Sequence, residues 1–202
     1  MRTTRTITPI RFAGPGPLYE PRAARGDGAP QASGGERGGG PPRLNMNPSF
    51  TSSITIVAAP SRVMWAFFNP TALEAWWQTS RSVTVPRVLG AYAVEWEPTE
   101  FSDEMLGRLG GTFHGTVMEY KPDREFFVAE AFCLPPDGNP IGPMALEVSC
   151  EPQRTKNPQI TLVKVTQRAS EDGDRWKRYY EVIAPGWERA LQSLKRYLES
   201  VP

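Results

Sequence analysis

The rhythm of hydrophobic and polar positions changes several times along this chain, and each change marks an element. The strongest pattern lies near the C-terminus, where Trp176, Tyr179, Tyr180, Ile183, Trp187, Leu191, Leu194 and Leu198 recur at helical spacing. It predicts a single apolar stripe on a helix of roughly 26 residues, about 39 Å long. Pro185-Gly186 falls inside that helix and predicts a kink, because proline withholds a backbone donor and crowds the preceding turn. At the other end, Phe50 to Val57 is rich in β-branched residues and reads as a strand. Pro60 suits a first helical turn, and Val63, Met64, Phe67 and Phe68 continue at helical spacing. Asn69 can cap a second short helix that starts at Pro70 and reaches Trp76-Trp77.

Between these helices lie strand-like runs at Ser82–Val85, Gly90–Trp96, Thr112–Tyr120, Glu125–Leu134, Pro143–Cys150 and Gln159–Gln167. Lys121-Pro122-Asp123 and the Pro135–Pro140 segment supply turns. Short turns between consecutive strands predict an antiparallel meander and exclude a parallel βαβ sheet. The economical arrangement is an α+β fold in which a curved sheet of six or seven strands wraps around the long C-terminal helix, with two short helices after the first strand. Residues Glu97 to Gly110 read as a long polar connection, and Gly107, Gly110 and Gly111 as a loop and hairpin device.

Composition then divides the chain. Residues 1–45 hold nine of the 18 glycines, seven of the 21 prolines and seven arginines without a lysine. With two aromatics to bury, such a segment cannot offset its ordering entropy. The expected organisation is a disordered Gly/Pro/Arg-rich tail over 1–48 and one folded domain over 49–202. A true start at Met46 is the alternative origin of that boundary. The tail lacks the apolar core of a secretory signal. Residues 46–202 carry 16 basic and 19 acidic side chains, so the near-neutral total hides a basic tail on a mildly acidic domain. That balance argues against a nucleic-acid partner, and no apolar run is long enough for a membrane span.

Several motifs together resemble a known group. Ala58-Ala59-Pro60 leads to Val63-Met64-Trp65, followed by Leu73-Glu74-Ala75-Trp76-Trp77. Gly115-Thr116-Val117-Met118-Glu119 runs to Pro122, and Gly186-Trp187 with Leu191, Leu194 and Tyr197-Leu198 closes the pattern. In order and spacing they resemble the SRPBCC (START-like, helix-grip) superfamily, and within it the C-terminal domain group of the activator of heat-shock-protein-90 ATPase. The resemblance implies a helix-grip fold with a cavity between sheet and long helix. It implies a small hydrophobic or amphipathic ligand, lined by Trp76, Trp77, Tyr92, Trp96, Phe113, Met118, Phe126, Phe132, Tyr180 and Trp187. Trp76-Trp77 and the Glu97–Gly110 connection are expected near the mouth. A co-chaperone-like protein partner or homodimer, and an enzyme of the cyclase or hydrolase kind, remain open as alternatives.

Catalytic candidates are sparse. His114, the sole histidine, is a potential general base. Glu95 and Glu119 are strand carboxylates able to serve as acid or base if they face a cavity. No Gly-x-Ser-x-Gly elbow accompanies them. Cys133 and Cys150 flank the Pro135–Pro140 loop. With the turn centred near residue 138, Cys150 faces about residue 126, roughly 23 Å from Cys133 and beyond disulfide reach. Reduced thiols fit a cytoplasmic protein. One histidine and two distant cysteines do not make a zinc site, and no cofactor motif is present. This scarcity favours binding over catalysis.

Overall fold

The structure is a computed structural model, and it describes residues 48–153 and 159–200. The reading of 1–48 as a tail falls, save for its last residue, outside the described residues.

The chain opens with β1 (Ser49–Ile56), followed by α1 (Pro60–Phe68) and α2 (Pro70–Trp77). Proline starts each helix, where its missing N–H is no loss. The Asn69 side chain caps α2 by accepting from the Ala72 N–H at 3.0 Å. Strands β2 (Arg81–Thr84) and β3 (Gly90–Trp96) follow, then a two-strand hairpin of β4 (Ser102–Asp103) and β5 (Gly107–Arg108). The meander continues through β6 (Gly111–Lys121), β7 (Glu125–Leu134), β8 (Ile141–Gln153) and β9 (Ile160–Ala169) into α3 (Asp174–Ser200).

Seven strands form one antiparallel sheet in the order β1-β9-β8-β7-β6-β3-β2. The first strand pairs with the last, so the sheet closes its own chain ends beside α3. Lys195 donates to the Thr55 carbonyl at 2.7 Å, and Glu199 accepts from the Val57 N–H at 2.8 Å. This is the expected α+β helix-grip fold, with a curved seven-stranded sheet, two short helices and one long one. α3 is assigned as one helix from Asp174 to Ser200, with Pro185 inside it.

Two departures from the sequence reading matter for the site. The Glu97–Gly110 connection is a pinned hairpin instead of a plain polar loop. Asp103 Oδ1 accepts from the Met105 and Leu106 N–H groups at 2.9 and 3.2 Å, and its other oxygen meets Arg178 Nε at 2.8 Å. Arg175 donates to the carbonyls of Met105, Pro140 and Asn139. The arginines at the start of α3 therefore clamp the hairpin. Arg178 and the backbone donors hold the Asp103 carboxyl below the usual aspartate range. Leu106 at the hairpin tip is buried. Gly111 ends the connection at φ +80°, where a Cβ would stand 2.1 Å from the Leu134 carbonyl oxygen, so no other residue fits.

The second departure is register. The β7–β8 pairing is centred near residue 137 instead of 138, with Cys133 facing Ile141, and the irregularities on either side of Ala131 cancel along the hairpin. Val148 faces Phe126, and the Cys150 N–H reaches the Arg124 carbonyl at 2.6 Å. Cys150 thus stands opposite Arg124 instead of residue 126, further along the sheet from Cys133 than expected, and both thiols are free.

Candidate functional site

The helices leave a cavity of about 500 Å³ between the middle of α3, the C-terminal end of α2 and the sheet, with the β4–β5 hairpin at its edge. Its wall is a continuous set of indoles. Trp77 stacks on Trp76 at 4.9 Å between centroids and 6° between planes. It meets Trp96 edge-on at 5.0 Å and tilts against Trp187 at 4.7 Å. Two of these indoles are held by their N–H groups: Trp76 donates to the Ala66 carbonyl and Trp96 to the Trp77 carbonyl, both at 2.9 Å. The rings are thus oriented by the backbone as well as by packing. Phe113, Leu106, Leu109, Ile141 and Ile183 extend the apolar wall.

Polar groups sit at two places. Deep in the cavity, Gln167 is buried on β9 and its carbonyl oxygen accepts from the Tyr179 hydroxyl at 3.5 Å. Burial pushes the Tyr179 phenol up, keeping it protonated and able to donate. At the opening stand Arg108, Arg189 and Arg196, with Ser193 between the last two on α3. The side chain of Cys133 also reaches the cavity. Among the described lining residues there is no aspartate, glutamate or histidine.

A family model described as activator of Hsp90 ATPase homolog 1-like protein matches residues 57–199. The chain belongs to this family. The fold of this family member is similar to the crystal structure of a Rhodobacter sphaeroides protein, with a TM-score of 0.58 and 16% identity over 76% of this chain and 93% of that one. A Mesorhizobium loti protein aligns with a TM-score of 0.56 and 16% identity over 77% and 99% of the two chains. One from Chromobacterium violaceum gives 0.53 and 22% over 75% and 96%. No curated protein matches the sequence.

Within this homolog 1-like domain the ten residues named as ligand-lining separate into groups. Trp76, Trp77, Trp96, Phe113 and Trp187 line the cavity together. Tyr92 and Phe126 lie in the core beneath α1, in contact with each other and with Phe68. Tyr180 packs on Phe50, Trp176 and Tyr179 and does not itself line the cavity. The hydroxyls of Tyr92 and Tyr180 are buried without a protein partner, and burial raises both phenols. Met118 falls at the register shift between Val117 and Glu119 and is 48% exposed. Phe132 pairs with His114 across β6 and β7, and the two rings stack at 5.9 Å.

The three acid–base candidates also lie outside the lining. His114 neighbours Phe113 on the strand and so points to the opposite face of the sheet. Glu95 pairs with Arg81 at 3.2 Å, and Glu119 with Lys121 at 2.6 Å, both on partly exposed surfaces. Among the described residues no group of three His, Cys, Asp or Glu side chains could hold a metal ion. No described helix is long and apolar enough to cross a membrane.

Sequence reasoning missed Gln167, Tyr179, Arg108, Arg189 and Arg196 as lining residues. For the α3 arginines a signal existed, since Arg189, Ser193 and Arg196 recur at i, i+4 and i+7. Nothing in the sequence tied that face to a cavity.

Burial pushes the Cys133 thiol up to about 11 and the Cys150 thiol up to about 12. The thiolate is the nucleophile, so iodoacetamide at about neutral pH is expected to alkylate the native protein at least tenfold more slowly than the unfolded chain. The native rate should climb as pH approaches the raised values. Mass spectrometry of quenched time points reads it, and equal native and unfolded rates would show that the thiols are unshielded.

Proposed function

We propose that this domain binds one small hydrophobic or amphipathic molecule between α3 and the sheet. The observation that carries the proposal is the cavity itself: about 500 Å³, walled largely by four indoles, Phe113 and aliphatic side chains, with polar groups in the minority. Small-molecule sites share this size range and apolar character. A solid core would have filled the space. Catalysis has less support, because the candidate carboxylates and histidine lie outside the lining and the groups that reach it are arginine, amide, hydroxyl and a protonated thiol. Two free cysteines are in keeping with a cytoplasmic setting for this function.

A second reading is a protein–protein module, whether co-chaperone-like or a homodimer. Exposed Val88, Leu89 and Met118 favour it, since the Leu89 N–H donates to the Val117 carbonyl and so brings the backbone of the two segments together. None of the three lines the cavity, and the two readings are separable.

The test is titration with N-phenyl-naphthylamine, a neutral dye that fluoresces in apolar surroundings. Saturable binding of one dye per chain, with matching quenching of indole emission, is expected. A signal that rises linearly without saturation would overturn the proposal.

A further inference from the structure

From the charge at the opening we infer that the ligand is an amphipathic anion, an aromatic body carrying one carboxylate, sulfonate or similar head held by Arg189 and Arg196. The inference rests on the ligand-binding reading above and names the class of molecule bound.

The lining contains three arginines and no acid among the described residues, although residues 46–202 as a whole hold more acids than bases. The bias at the opening is therefore local. It also differs from the rest of α3. Lys177, Arg178 and Lys195 are each ion-paired, to Asp174, to Asp103 and Glu181, and to Glu199. Arg108 is bridged to Asp137 at 3.6 Å. Arg189 and Arg196 make no ion pair or side-chain hydrogen bond with any described residue. Glu188, next to Arg189 in sequence, is turned about 100° round the helix and lines a separate surface with Thr51 and Ser53 of β1. The acids of α3 are thus either occupied or turned away.

Seven residues separate the two arginines, which is about two helical turns or roughly 10 Å along the axis. Both side chains are long enough to reach a head group seated over Ser193. A guanidinium presents planar paired donors that match carboxylate and sulfonate oxygens. Beside the low-dielectric wall of Trp77 and Trp187 its field is less screened than on an open surface. The aromatic wall selects the other end of the ligand, because ring stacking adds to simple burial.

A matched pair of probes tests this. Anilinonaphthalene sulfonate is the dye named above with a sulfonate added, so the ratio of the two affinities isolates the head group. In the R189Q/R196Q double variant, the affinity for the sulfonate relative to the neutral dye is expected to fall about tenfold. The R189K/R196K variant should restore most of that ratio, and added salt should lower it in the wild type. Circular dichroism of each variant checks that the fold is retained. A ratio that stays within twofold, with the neutral dye still bound, overturns the anionic assignment and leaves the cavity reading standing. Failure of the neutral dye to saturate the wild type overturns both.

Discussion

Trp76→Ala is expected to lower the free energy of unfolding by about 3–5 kcal/mol, the range for removing a large buried aromatic. Trp76 is 1% exposed, stacks on Trp77 and meets Phe67 edge-on at 5.2 Å. Three losses coincide on truncation. The indole area returns to water, the Ala66 carbonyl loses its donor in a buried setting, and the void joins the existing cavity instead of collapsing. Against a typical domain stability of about 5–15 kcal/mol the loss is a large fraction. Chemical denaturation followed by circular dichroism measures it, and a loss under about 1 kcal/mol would show that Trp76 is no core member. Trp77 offers the contrast. It is only partly buried, yet it touches the other three cavity indoles, so its truncation should cost less stability and proportionally more dye binding.

That contrast shows where the sequence was readable. Helical spacing from Trp176 to Leu198 reflects a geometry imposed by the backbone, and every residue of that stripe except Ile183 is buried. Strand order from β6 to β9 followed from connections too short for crossovers, whereas β3 pairs with β6 across the long Glu97–Gly110 connection. Pairing of β1 with β9 joins residues more than a hundred positions apart, and spacing carries no trace of it. Alternation separates a strand into two faces without saying which points inward. Glu95 and Trp96 were therefore equally plausible cavity groups, and only Trp96 lines it. Bulges remove even the alternation, as at Met118. The hairpin clamp was illegible for a different reason. Asp103 and Arg178 are 75 residues apart, and a carboxylate in a polar stretch looks the same whether solvated or pinned.

Gly186→Leu is expected to weaken binding of the neutral dye at least tenfold while raising stability by about 0.5–1 kcal/mol, and the opposite signs make it the sharper test. Gly186 stands within α3, where a glycine costs close to 1 kcal/mol relative to a good helix former. It also lines the cavity, and a Cβ added there meets nothing within 4 Å. The Cβ of a leucine there thus meets open space at the cavity wall, and the rest of the side chain takes up cavity volume. Most core insertions are destabilising because there is no room. Here there is room, so lost binding cannot be ascribed to a damaged fold. Paired denaturation and dye titrations read the two effects on the same sample. Unchanged dye affinity with the fold intact would place the bound dye elsewhere on the molecule. Lost stability would show that the space beside Gly186 is filled in solution, and in that case the missing side chain serves packing and not a ligand.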